Sequence, residues 1–237
     1  DPAGFASDPA FQNPDGSSVL APDSTVFVGN SQGGILGGAA SAISTEWRRA
    51  VLGVPGMNYS LLLPRSSDWP EFQVVFEDAY QNVDDRLMAL MLVQLLWDRG
   101  ENGGYAQHLT RDTYDGIEAK TVLLVEAFGD HQVANVSTEI LARTIGAQVH
   151  TPALKDGRSL SSVPMWGIDP IADRSDATSK LVIWDYGTPP PPVGPFPPVD
   201  GEYGKDPHGA GSDEPLVLVQ ALTFLLDGNL LDVCGGP

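Results

Sequence analysis

Four short apolar runs punctuate this chain, at residues 25–28, 49–54, 120–126 and 180–185. Runs of this length with little polar alternation predict strands buried on both faces. Between them the pattern changes to longer helical segments. Residues 35–44 are small and apolar and predict a helix. Residues 72–97 carry apolar side chains at helical spacing and predict one or two helices, closed by Asp98-Arg99-Gly100-Glu101-Asn102-Gly103-Gly104. A further helix is expected over about 133–145, stopped by Gly146, and a closing helix over 213–226. Residues 147–179 are mixed and read as loop. Residues 1–23, rich in Asp, Pro, Gly and Ser, read as a helix end and a loop anchored by Phe5 and Phe11. Strands alternating with helices predict an α/β fold built on a parallel, doubly covered sheet. Chemistry in such sheets gathers at the carboxyl ends of the strands. Ser31, Asp130 and the loop after Asp185 all fall at such ends.

Composition narrows the function classes. The 237 residues are 42% hydrophobic, enough for one sizeable domain with a core. The formal net charge of −18 disfavours nucleic acid, polyanionic substrates and anionic membrane surfaces. No apolar run approaches the roughly 20 residues of a membrane span. The opening residues, Asp1-Pro2-Ala3-Gly4, lack the basic and apolar regions of a signal peptide, although one removed upstream fits the sequence equally well. The single cysteine, Cys234, admits no internal disulfide and no cysteine-based metal site. It is either an unpaired thiol or a link to another polypeptide. Together with the acidic balance, the second option leans towards an extracellular or periplasmic protein. No HExxH, paired His/Cys cluster, phosphate loop or dinucleotide fingerprint occurs, so neither a metal nor a nucleotide cofactor is expected. Seven of the eleven residues 188–198 are proline, which predicts a stiff, extended surface loop beside a site.

The candidate chemistry lies in Gly29-Asn30-Ser31-Gln32-Gly33, which joins the first apolar run to the small-residue helix. A serine on a sharp strand-to-helix turn projects from the sheet on a strained backbone. It becomes a nucleophile if an imidazole takes its proton and a carboxylate holds that imidazole. Four histidines are available. His108 and His150 read as surface or strand positions. His131 adjoins Asp130 too closely to turn back onto it, and is expected to line the pocket. His208, in Lys205-Asp206-Pro207-His208-Gly209-Ala210-Gly211, has small neighbours and is the expected base. Asp130 is the expected acid; it would also suit the N-cap of the helix that follows. Asp185 is the rival acid.

With these assignments the chain order is Ser, Asp, His, and the chain resembles the α/β-hydrolase family. The resemblance rests on Gly29-Asn30-Ser31-Gln32-Gly33, on Gly129-Asp130-His131-Gln132-Val133 and on His208 in its loop, and it covers most of the chain. It implies hydrolysis through an acyl-enzyme, with the Gln32 N–H helping to hold the oxyanion. The chain departs from the family in placing Ser31 only about thirty residues from its start. Family members carry several strands before this turn, and a loop among them supplies the second oxyanion N–H. The expectation is therefore that residues 1–237 are the C-terminal part of the fold. The rest would precede them in a longer protein or come from a separate N-terminal polypeptide. Residues 57–118 stand where the family commonly carries a lid, with Met57, Leu61, Leu62, Leu63, Trp69, Phe72, Met88 and Met91 as candidates to cover an acyl pocket or to pack in the core. Tyr59 and Trp69 are the expected pocket wall.

Three functions compete. A serine hydrolase of small-molecule or polymer carboxylic esters is favoured, since a lid-like apolar insert suits a neutral acyl group. A peptidase or amidase would use the same triad. A catalytically silent binding module would keep the fold without the reaction.

Overall fold

The computed structural model describes residues 4, 7–19, 21, 24–199 and 201–233; Phe5 and Cys234 lie outside them. Five strands form one all-parallel sheet: β1 (Phe27–Asn30), β2 (Arg49–Gly53), β3 (Thr121–Ala127), β4 (Gln148–Val149) and β5 (Lys180–Trp184). Their order is β1-β2-β3-β5-β4, so β1 and β4 are the two edges. The fold is α/β, as the alternation of runs implies. The two-residue β4 lies inside the segment read as loop. A strand so short has no period to detect; it is set by the hydrogen bonds Gln148 N–H to the Ser179 carbonyl and Val149 N–H to the Asp169 carbonyl.

The unbroken apolar runs are explained by what lies on each face. Successive strand residues point to opposite sides. Leu52, Val122, Leu124 and Leu181 meet Ala42 of α1 (Gln32–Ile43) and Leu141 and Ile145 of α6 (Asn135–Ile145). Val51, Leu123, Val125 and Val182 meet Phe224 and Leu225 of α7 (Pro215–Asp227). The double cover is complete at β3 and gives out at β1. Val28 is level with Val51 in the β1–β2 register, on the α7 side, yet is 63% exposed. Leu218 and Leu222 of α7 are exposed as well.

Glycines set how closely α1 lies on the sheet. A Cβ at Gly29 would fall 2.1 Å from the Gly33 carbonyl oxygen, and one at Gly34 would fall 2.7 Å from that of Gly53. Only backbone fits at either place, so α1 springs directly off the end of β1 and rests against β2. The helix predicted near 133–145 begins at Asn135 and stops at Gly146, which takes the left-handed conformation at φ 71°.

Residues 57–118 join β2 to β3 through α2 (Tyr59–Leu62), α3 (Trp69–Ala79), α4 (Val83–Trp97) and α5 (Gln107–Thr110). The long periodic segment is thus two helices. The second starts where the Asn82 side chain accepts the Asp84 N–H. Met57, Leu62 and Trp69 are buried, whereas Phe72, Met88 and Met91 are exposed. The segment returns to the core at its end. Leu109 is fully buried, and the buried Asn102 amide donates to the Gly34 and Gly56 carbonyls. Glu101 beside it, also buried, accepts the N–H groups of Asn58, Tyr59 and Gly103 and the Gln94 amide. Among the described residues no helix is long and apolar enough to cross a membrane.

Candidate active site

Two strand ends and a long loop converge on one point. Ser31 follows β1, Asp130 follows β3, and His208 lies in the long connection between β5 and α7. Ser31 has φ 57° and ψ −123°, a conformation that costs a non-glycine residue of order 1–3 kcal/mol. The turn is held by its surroundings: the Ser31 N–H donates to the Gly53 carbonyl of β2 at 2.9 Å, and the Ser31 carbonyl accepts the Gly34 and Ile35 N–H groups that open α1. The side chain is thereby lifted off the sheet towards His208.

The three side chains form an unbroken chain of hydrogen bonds. His208 Nε2 is 2.7 Å from Ser31 Oγ, and His208 Nδ1 is 2.8 Å from Asp130 Oδ2 and 3.0 Å from Oδ1. With the proton on Nδ1, that nitrogen donates to the carboxylate and Nε2 accepts from the serine hydroxyl. Asp130 is 2% exposed. Its Oδ1 also accepts the N–H groups of Gln132 and Val133, closing a tight turn. It is not the N-cap of α6. That position is Ala134, which makes no side-chain capping bond.

Electrostatics follow from this burial. Removal from water pushes the Asp130 carboxyl above its ordinary value, opposed by the hydrogen bond and charge of His208 and by the two amides. Burial alone would pull the His208 imidazole down. The hydrogen bond and charge of Asp130, with the charges of Asp206 and Asp68, outweigh it and hold the ring above its ordinary value. The environment of the ring therefore favours its protonated form.

The rival assignments find other partners. Asp185 is gripped by Arg158, with Nε to Oδ2 and Nη2 to Oδ1 both at 2.6 Å. His108 lies at a tilt against Tyr114, and its Nδ1 bonds the Asp112 carbonyl. His150 lies between Arg174 and Asp232. His131 is buried, with Nε2 3.1 Å from the Tyr203 carbonyl, its N–H donating to Asp206 Oδ1 and its carbonyl accepting the Ser67 N–H. Tyr59 is half-buried against Trp97, and Trp69 packs edge-on against Phe76.

A cleft of about 270 Å³ opens beside the cluster, with His208 in its wall and Val28, Val54, Val125, Trp184, Val217 and Leu218 among its lining. Tyr59, Trp69 and His131 do not line it. A larger cleft of about 880 Å³ lies at the opposite ends of the strands, around Trp47, Arg48, Arg49 and Lys120, and contains none of the three clustered side chains. The lining of this larger cleft holds no histidine. The Gln32 N–H, at the first turn of α1, makes no hydrogen bond among the described residues and is free to donate. Also among them, no three His, Cys, Asp or Glu side chains group to hold a metal ion.

Asp206 carries no motif, and the reading of the sequence passed over it. Its Oδ1 accepts the N–H groups of His131 at 3.2 Å and of His208 at 3.0 Å, and its Oδ2 accepts the Gln132 side-chain amide at 2.8 Å. Its position two residues before His208 was the only available signal. Comparison with protein-family models, with curated proteins and with solved structures gives no match, so the residues themselves carry the functional argument.

Proposed function

We propose that this chain is the catalytic part of a serine hydrolase of α/β-hydrolase type that cleaves carboxylic esters through an acyl-enzyme. The observation that carries the reading is the unbroken chain Ser31 Oγ, His208 Nε2, His208 Nδ1, Asp130 carboxylate, assembled from two strand ends and a loop far apart in sequence. In the reaction His208 takes the Ser31 proton as Oγ bonds the substrate carbonyl carbon. The oxyanion forms against the Gln32 N–H, and His208 then returns the proton to the leaving alcohol. Water deacylates the serine by the same route. Asp130 holds the Nδ1 proton and stabilises the imidazolium in both steps.

The apolar walls of the cleft beside His208 favour a neutral acyl group over a charged one. In this reading the exposed pair α3–α4 serves as the lid. An N-terminal polypeptide completes the sheet along the open edge of β1 and supplies the second oxyanion donor. The test is labelling of the natively purified protein with a fluorophosphonate, then intact mass of every chain present. Ser31 carrying the label, loss of label and of ester hydrolysis in Ser31→Ala, and a second polypeptide or a longer chain are the expected results. A folded, complete assembly that takes no label would overturn the hydrolase reading. Matched esters and amides offered to the labelled protein distinguish an esterase from an amidase.

A further inference from the structure

Asp130 and His208 lie 78 residues apart in sequence on two separate loops, and their mutual hydrogen bond is short only if something fixes one loop against the other. One carboxylate does this. Asp206 Oδ1 takes the backbone N–H of His131, the residue after Asp130, and the backbone N–H of His208 itself; Oδ2 takes the Gln132 side chain. A second tie, His131 Nε2 to the Tyr203 carbonyl, joins the same two loops nearby. We infer that Asp206 is a positioning residue: its carboxylate clamps the loop bearing Asp130 to the loop bearing His208 and so holds the imidazole in line between Asp130 and Ser31.

The half-buried carboxylate is suited to this task. Burial pushes its pKa up, but the Gln132 side chain and the His208 and His131 amides pull it further down, so it stays charged. Its charge also raises the His208 pKa, in the same direction as Asp130. The charged groups that act on His208 are thus Asp130 from the β3–α6 loop, Asp206 from its own loop and Asp68 from the start of α3. The inference rests on the serine-hydrolase reading, and the experiment separates the two.

Asp206→Ala removes all three hydrogen bonds. Asp206→Asn keeps Oδ1 as an acceptor for both amides but removes the charge. The phosphonate-labelling rate of Ser31 is expected to fall about 10²-fold in Asp206→Ala, the scale of a misplacement near 1 Å. It should largely recover in Asp206→Asn. In Asp206→Asn the His208 imidazole, followed by NMR and assigned with His208→Gln, should titrate at lower pH than in the wild-type protein. This second reading needs no enzymatic activity, and it stands if Asp206→Ala does not fold. A wild-type labelling rate in folded Asp206→Ala, or a labelling rate in Asp206→Asn that falls far below that of the wild-type protein, overturns the assignment. A wild-type protein whose Ser31 takes no label, with the titration shift intact, overturns the hydrolase reading and leaves the clamp standing.

Discussion

Ser31, Asp130, His208 and Asp206 meet their partners within 3.2 Å, whereas Val75 and Met91, on α3 and α4, each keep 72% of their surface in solvent. Both regions are built from segments that leave strands of the same sheet. The difference lies in what fixes them. At the strand ends each polar group is placed by backbone whose course the sheet dictates, and burial makes any unmet hydrogen bond costly. On α4 only Leu90 and Gln94 are buried, so most of its apolar side chains contribute little to the fold as it stands. One region is self-sufficient; the other has an apolar surface that its own chain does not cover.

The most damaging way to break the first region is Asp130→Asn. It keeps the shape and removes the acceptor that sets the Nδ1 proton of His208. Turnover of an ester should fall by about 10⁴, with a melting curve close to that of the parent protein. A loss below tenfold would show that Asp130 does not orient the imidazole.

Asn102→Ala strikes the joint between the two regions. Two buried carbonyls, of Gly34 and Gly56, lose their donor, and stability should drop by about 2–4 kcal/mol in denaturant unfolding. The pH dependence is a smaller effect. Because His208 titrates above its ordinary 6.5, the labelling rate should still be climbing past that pH as the imidazole loses its proton. The sign for stability is the reverse. With the folded-state value raised, the contribution of protonated His208 is fully present below the unfolded-state value and is lost as pH rises through the folded one. A rate already level at pH 6 would contradict the raised value.

Met91→Lys is the mildest probe and sharpens the comparison from the other side. On a free helix surface it should change stability by no more than about 0.5 kcal/mol. A drop of several times that size in the natively purified protein would mean that this face is covered in the complete assembly.

Legibility in the sequence followed the same division. The strands were readable because residues such as Val122, Leu123, Leu124 and Val125 are buried on alternating faces, which leaves an unbroken apolar run. The serine turn was readable because Gly29 and Gly34 leave no room for a side chain where α1 meets the sheet. The ring partners of Tyr59 and Trp69 were not. They are Trp97 and Phe76, contacts that no local pattern predicts. Asp206 was missed for the same reason, since its partners His131 and Gln132 are more than seventy residues away.

Local chemistry alone determined the alternation of strands and helices, the serine turn between β1 and α1 and a short set of candidate histidines and carboxylates, because period, glycine placement and residue type act over a few neighbours. Tertiary structure decided which carboxylate faces the imidazole, which histidines are occupied elsewhere, where the cleft opens and which apolar surface stays bare. Those depend on strand order and on contacts across long loops, where a displacement of about an ångström separates a hydrogen bond from none.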